Sequence, residues 1–107
     1  MTLEVVFHRV KEGEVERLRA WMREAEGRAD EVRETFRQET VRHEVAYLLQ
    51  GHDGPVLVYA MEAEDPEWSE EAFRSSTLPI DLQHREILGA VLAGQAQVEK
   101  LYEVALD

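Results

Sequence analysis

Histidine and carboxylate are the side chains best suited to moving protons near neutral pH, and this chain offers both. His8, His43, His52 and His84 stand among 23 acidic residues in a sequence of 107. The same groups could hold a metal, but the spacing speaks against it. There is no HExxH and no histidine pair at i, i+4, and "RHE" sets His43 and Glu44 on opposite faces of a strand. His52 falls in a turn. A site assembled from His8, His84 and Glu44 stays geometrically open, but we expect no metal. Glu44 with His84 is the pair that could work as acid and base. Glu44 shares a strand face with Arg42, Ala46, Leu48 and Gln50, a partly apolar surface. Burial there would raise its pKa, and a neighbouring imidazole or Arg would hold it ionised. Beside His84 it could act as a general base towards a small organic substrate. A structural alternative stands next to this one. A strand Glu can simply accept backbone N–H bonds or pair with Arg, and Asp81 with His84 can decorate a helix start.

Trp21, Tyr47, Tyr59, Trp68 and Phe73 could line a pocket, or they could fill a core. Nucleophilic catalysis finds little support. No cysteine is present, no GxSxG occurs, and Ser69, Ser75 and Ser76 lie in acidic or turn-like contexts. No GxGxxG or GKS/T pattern marks a nucleotide site, and His84 without a surrounding motif does not make a haem site. We therefore expect no cofactor. The net charge of −11 excludes nucleic acid as a partner, because that binding needs clustered Lys and Arg. An anionic membrane surface is disfavoured on the same ground. No apolar run approaches the ~20 residues of a membrane span, and "MTLEVVFHRV" lacks a signal-peptide layout. The expectation is a soluble cytoplasmic protein folded as one domain over residues 1–107.

The elements that must position these side chains follow from periodicity. Residues 3–10, "LEVVFHRV", alternate as a strand. Gly13 is an acceptable N-cap for a helix over 14–38, in which Val15, Leu18, Met22, Ala25, Ala29, Val32 and Phe36 form one stripe. Gly27 interrupts it and could mark a bend. Residues 40–50 and 55–63 make a hairpin around Asp53-Gly54. A short helix begins near Pro66, and Asp81 is placed to cap another running to about Ala93 and ended by Gly94. The tail "VEKLYEVAL" alternates and predicts a last strand. Strand, helix, strand, strand, helix, strand is the βαββαβ order of the α+β ferredoxin-like sandwich, with both helices on one face of a four-stranded antiparallel sheet. "VAYLL" and "VLVYAM" are apolar on both faces, as in strands buried on both sides. The second face is most simply covered by another copy, which predicts a face-to-face homodimer.

Three stretches carry a resemblance: "GEVERLRAWM", "VRHEVAYLLQGHDGPVLVYAMEAED" and "PIDLQHREIL". They resemble a family of small, functionally uncharacterised bacterial proteins. That family is similar to the dimeric α/β-barrel superfamily, which includes antibiotic-biosynthesis-type monooxygenases and stress-responsive barrel proteins. The resemblance is sharpest at Trp21, Glu44, Tyr59, Asp81 and His84. It implies the fold and the dimer, with a pocket between sheet and helices, but no assigned reaction. Trp21, Tyr59 and Asp81 are then candidate ligand-binding residues, and Glu44 with His84 a candidate catalytic pair.

Two functions fit. One is a homodimeric barrel that binds a small organic molecule, with a cofactor-free monooxygenase- or isomerase-like enzyme as its catalytic variant. The other is a non-catalytic module used for binding or regulation. The first expects a concave pocket with Glu44 or His84 on its wall. The second expects Trp21, Leu18, Met22 and their neighbours to fill that space.

Overall fold

In the computed structural model, which describes residues 1–106, the chain runs through nine elements. They are β1 (Thr2–Val10), a 3-10 turn (Glu12–Glu14), α1 (Val15–Gly27), α2 (Ala29–Glu39), β2 (Val41–Gly51), β3 (Gly54–Ala63), α3 (Pro66–Ser75), α4 (Pro79–Val91) and β4 (Leu92–Gln95). The strands form one sheet in the order β2-β3-β1-β4, every adjacent pair antiparallel. With its helices on one face, this is the ferredoxin-like α+β arrangement expected from the element order. Among the described residues no helix is long and apolar enough to cross a membrane.

The hairpin forms where the alternation and the Asp-Gly pair put it. Gly51 faces Gly54 across the turn, and Gly54 takes φ +100°, a conformation that costs a residue without Cβ nothing. Tyr59 of β3 sits between Ala46 of β2 and Val6 of β1 in register. On the helix-covered face, Val10, Leu57 and Tyr59 join Leu18 of α1 and Val91 of α4 in the core. The opposite face carries Leu3, Val5, Tyr47 and Leu49, all exposed, around half-buried Phe7, Val56, Val58 and Ala60. Both faces are apolar, as the sequence predicts.

Four local expectations are corrected. The helix over 14–38 is two helices, broken at Arg28 (φ −111°, ψ 41°) directly after Gly27. The break is held from outside, since the Arg28 guanidinium donates to Glu24, Glu31 and Gln83 and so ties α1 and α2 to α4. Gly13 is not the cap; the 3-10 turn intervenes and Glu14 takes that position. Nor does Asp81 cap α4. Leu78 precedes Pro79 at the first helical position, and proline's fixed φ starts the helix without a side-chain cap. Asp81, one turn in, is free to turn its carboxylate elsewhere. Finally, the last strand is Leu92–Gln95, where the sequence predicts the helix end, and not the tail from Val98. The alternating tail finds no ladder: beyond Ala96 N–H donating to Phe7 C=O, its apolar residues Leu101, Tyr102, Val104 and Leu106 stand exposed.

The start of α3 follows the expected chemistry. Asp65 caps it, its Oδ1 accepting from the N–H groups of Glu67 (3.0 Å) and Trp68 (3.3 Å), with Pro66 at the first helical position. Arg85 of α4 donates to the carbonyls of Phe73 (2.5 Å) and Ser76 (2.8 Å), joining α4 to the end of α3.

Candidate functional site

Between the sheet and the helices lies a cavity of about 620 Å³. Strand alternation turns Glu44 and Ala46 of β2 and Tyr59 of β3 towards it, and the small Ala46 opposite Tyr59 leaves room that a larger residue would occupy. Trp21 enters from α1, and Asp81 with His84 from α4. All five candidate residues from the sequence therefore line one space. Leu18 and Trp21 are buried, yet they and Met22 do not fill it.

His84 sits inside an aromatic surround. Its ring lies 5.4 Å from Trp21 and 5.1 Å from Phe73, the latter edge-on, and Nε2 is 2.8 Å from the Tyr59 hydroxyl. Burial pushes the imidazole down to about 4, against a smaller upward pull from Asp81, so the ring is neutral at pH 7. Burial, and then the charge of Glu44, raises the Tyr59 pKa, so the phenol keeps its proton. The two form a neutral hydrogen-bonded pair.

Glu44 stands apart from that pair. Burial alone pushes its carboxyl up to about 7, with no partner among the described residues to hold it ionised. The structure thus brings Glu44 and His84 to one cavity but hydrogen-bonds His84 to Tyr59, not to Glu44. His8 lines the same cavity, its pKa lowered by burial. Among the described residues no group of three or more His, Asp or Glu side chains could hold a metal ion.

Two residues on the wall escaped the sequence reading. Thr35 and Glu39 of α2 are buried, and the Thr35 hydroxyl lies 3.0 Å from Glu39 Oε2 and 2.5 Å from Asp81 Oδ2. Burial pushes Glu39 up to about 8; the Thr35 hydrogen bond opposes this, while the charges of Asp81 and Glu44 add to it. The Glu39 backbone carbonyl also accepts from the Ser69 hydroxyl of α3 at 2.6 Å. The i, i+4 spacing of Thr35 and Glu39, flanking Val32 and Phe36 on the apolar stripe, was the available signal.

Chemically, the arrangement offers an apolar chamber with a carboxyl near its midpoint at pH 7, a phenol–imidazole pair, and a second buried carboxyl that is protonated. Such a set can move a proton and hydrogen-bond an oxygen without a cofactor. Residues 1–107 match a family described as a family of unknown function (DUF6176). No curated protein matches the chain. Among solved structures it is similar to tetracenomycin F2 cyclase from Streptomyces glaucescens, a type-II polyketide cyclase, with a TM-score of 0.59 and 20% identity over 100% of this chain and 96% of that one. At that identity the likeness is one of fold.

Proposed function

The chain belongs to the DUF6176 family, which has no assigned reaction, and we propose that it binds a small, largely apolar organic molecule in the cavity between helices and sheet. The observation that carries this reading is the cavity itself. At about 620 Å³ it is in the range of ligand sites, and Trp21, Tyr59, Phe73 and Ile80 give it apolar walls around a few convergent polar groups. We propose Trp21, Tyr59 and Asp81 as ligand-facing residues.

A bicyclic aromatic ketone, 1-tetralone, serves as probe. In a Trp68→Phe background the fluorescence of Trp21 reports the cavity. Saturable quenching is expected, weakened at least about tenfold in Ala25→Phe, which projects a ring into the space. Unchanged affinity in Ala25→Phe would place the ligand elsewhere.

A catalytic reading is favoured by one further observation, the Glu44 carboxyl balanced at about 7 across from a protonated phenol. Glu44 would take a proton from the carbon next to a carbonyl, the electron pair passing to the carbonyl oxygen, where Tyr59, oriented by His84, donates a hydrogen bond. Exchange of the tetralone α-protons with deuterated water, followed by NMR, tests it. Catalysed exchange should rise with pH through about 7 and be lost in Glu44→Gln. His84→Ala should slow it by freeing the Tyr59 hydroxyl. Exchange equal to that of buffer in the parent protein would leave binding alone.

We also propose that two copies pack through their outer sheet faces, closing a dimeric α/β-barrel. The support is the apolar face of Leu3, Val5, Tyr47 and Leu49, which a single chain leaves in water. Each copy would be one domain, acting in the cytoplasm.

A further inference from the structure

Thr35, Glu39 and Asp81 form the most enclosed polar group on the cavity wall, and their positions determine a proton count. Thr35 Oγ1 contacts Glu39 Oε2 at 3.0 Å and Asp81 Oδ2 at 2.5 Å. A hydroxyl has one proton and can donate to one of them. The other carboxyl must bring its own proton or meet the hydroxyl lone pair to lone pair. The three residues are 5%, 6% and 1% exposed, so bulk water does not relieve that contact. No cation relieves it either. Glu39 faces Asp81 from α4 and Glu44 from β2, with Glu26 of α1 and Glu70 of α3 among the cavity-lining residues. Arg33, the arginine of that lining, is paired with Asp30 at 2.9 Å.

We propose that Thr35 is a proton exchanger between Glu39 and Asp81. The proton on Glu39 Oε2 passes to Thr35 Oγ1 as the hydroxyl's own proton passes to Asp81 Oδ2. Only O–H bonds change, one breaking and one forming at each step, and one negative charge moves from Asp81 to Glu39. Burial, with the neighbouring charges of Asp81 and Glu44, pushes the Glu39 pKa up to about 8, and the resting proton is assigned to Glu39 on that ground. The exchange moves charge from Asp81, which acts on His84, to Glu39, which feels the charge of Glu44. Its use rests on the cavity being a ligand site, but the exchange belongs to the free protein and is measured there.

The test is carboxyl spectroscopy on the ligand-free full chain. In a Glu44→Gln background, which removes the half-protonated Glu44 carboxyl, infrared spectra at pH 7 should show a protonated-carboxyl stretch that Glu39→Gln removes. With carboxyl-labelled Asp, the NMR resonance of Asp81, assigned by its loss in Asp81→Asn, should shift through the pH interval in which Glu39 titrates. Thr35→Val, equal in size but without the hydroxyl, should cut that response at least by half, and Thr35→Ser should restore it. If Thr35→Val does not fold, Glu39→Gln carries the comparison, since Asp81 should then be silent over the interval. Absence of the protonated band, or an Asp81 response unchanged in Thr35→Val or Glu39→Gln, overturns the proposal. Failure of 1-tetralone to bind would sink the ligand reading and leave these spectra standing.

Discussion

A carboxyl that keeps its proton to pH 8 leaves a mark on stability as well as on chemistry. For Glu39, with a folded pKa of about 8 against an ordinary 4.5, the unfolded chain has lost a proton that the folded chain retains. Stability therefore falls as pH rises through that window, at about 1.4 kcal/mol per pH unit for one whole proton. Glu44 adds the same sign up to about 7. His84 has the opposite sign: between about 4 and 6.5 the unfolded chain binds a proton that the folded chain refuses, so stability is lost as pH falls. From these groups the urea midpoint should peak at about pH 4 and decline towards pH 8. In Glu39→Gln the decline between pH 7 and 8 should shrink to the smaller part left by Glu44, which completes its titration there. At this scale the sequence was legible where a residue's face could be read. Glu44 and Tyr59 follow from strand parity and Trp21 from the helical stripe. Thr35 and Glu39 did not follow, because polar residues flanking a stripe look like solvent-facing ones until another element, here α4, covers them. That Tyr59 is the group hydrogen-bonded to His84 does not follow either, since parity shows a face and not the distance across a cavity.

Elements were read well where local signals and tertiary context agree. The hairpin had period two and an Asp-Gly turn, and α3 had Asp65 before Pro66. Because Asp65 satisfies two N–H groups, Asp65→Ala should cost about 1 kcal/mol, read as a lowered urea midpoint, while Asp65→Ser should recover most of it. The break at Arg28 was signalled by Gly27, but its geometry depends on Gln83, 55 residues away. β4 went unread because Leu92 and Ala93 continue the apolar pattern of α4. The tail was overread, because alternation describes a strand only when a neighbour offers a ladder, and β4 already takes that edge of β1.

For the whole molecule, the outer sheet face is the feature with most bearing on behaviour in solution: an apolar surface of this extent favours association. On the proposed dimer, Tyr47→Glu, aimed at the exposed side of β2, should convert the assembly to a monomer in native mass spectrometry while leaving the far-UV circular dichroism unchanged. A dimer that survives Tyr47→Glu with Val5→Glu added would show that the sheets do not meet. The fold class was readable from element order alone, because a four-stranded sheet with two crossovers permits few chain paths. What covers each face was readable only as a demand for apolar partners.

The two ends of the cavity differ in how firmly they are held. At the α2 end, the Glu39 carbonyl accepts from both Ser69 and Thr40, and the Glu39 side chain meets Thr35, so backbone and carboxyl are pinned together. At the α1 end, the buried indole N–H of Trp21 has no acceptor among the described residues. Nothing directional fixes that ring; only packing does. On the proposed ligand reading, accommodation of guests of different shape would fall to Trp21, whose rotation costs no hydrogen bond, while the α2 wall would act as the rigid gauge against which a guest is measured.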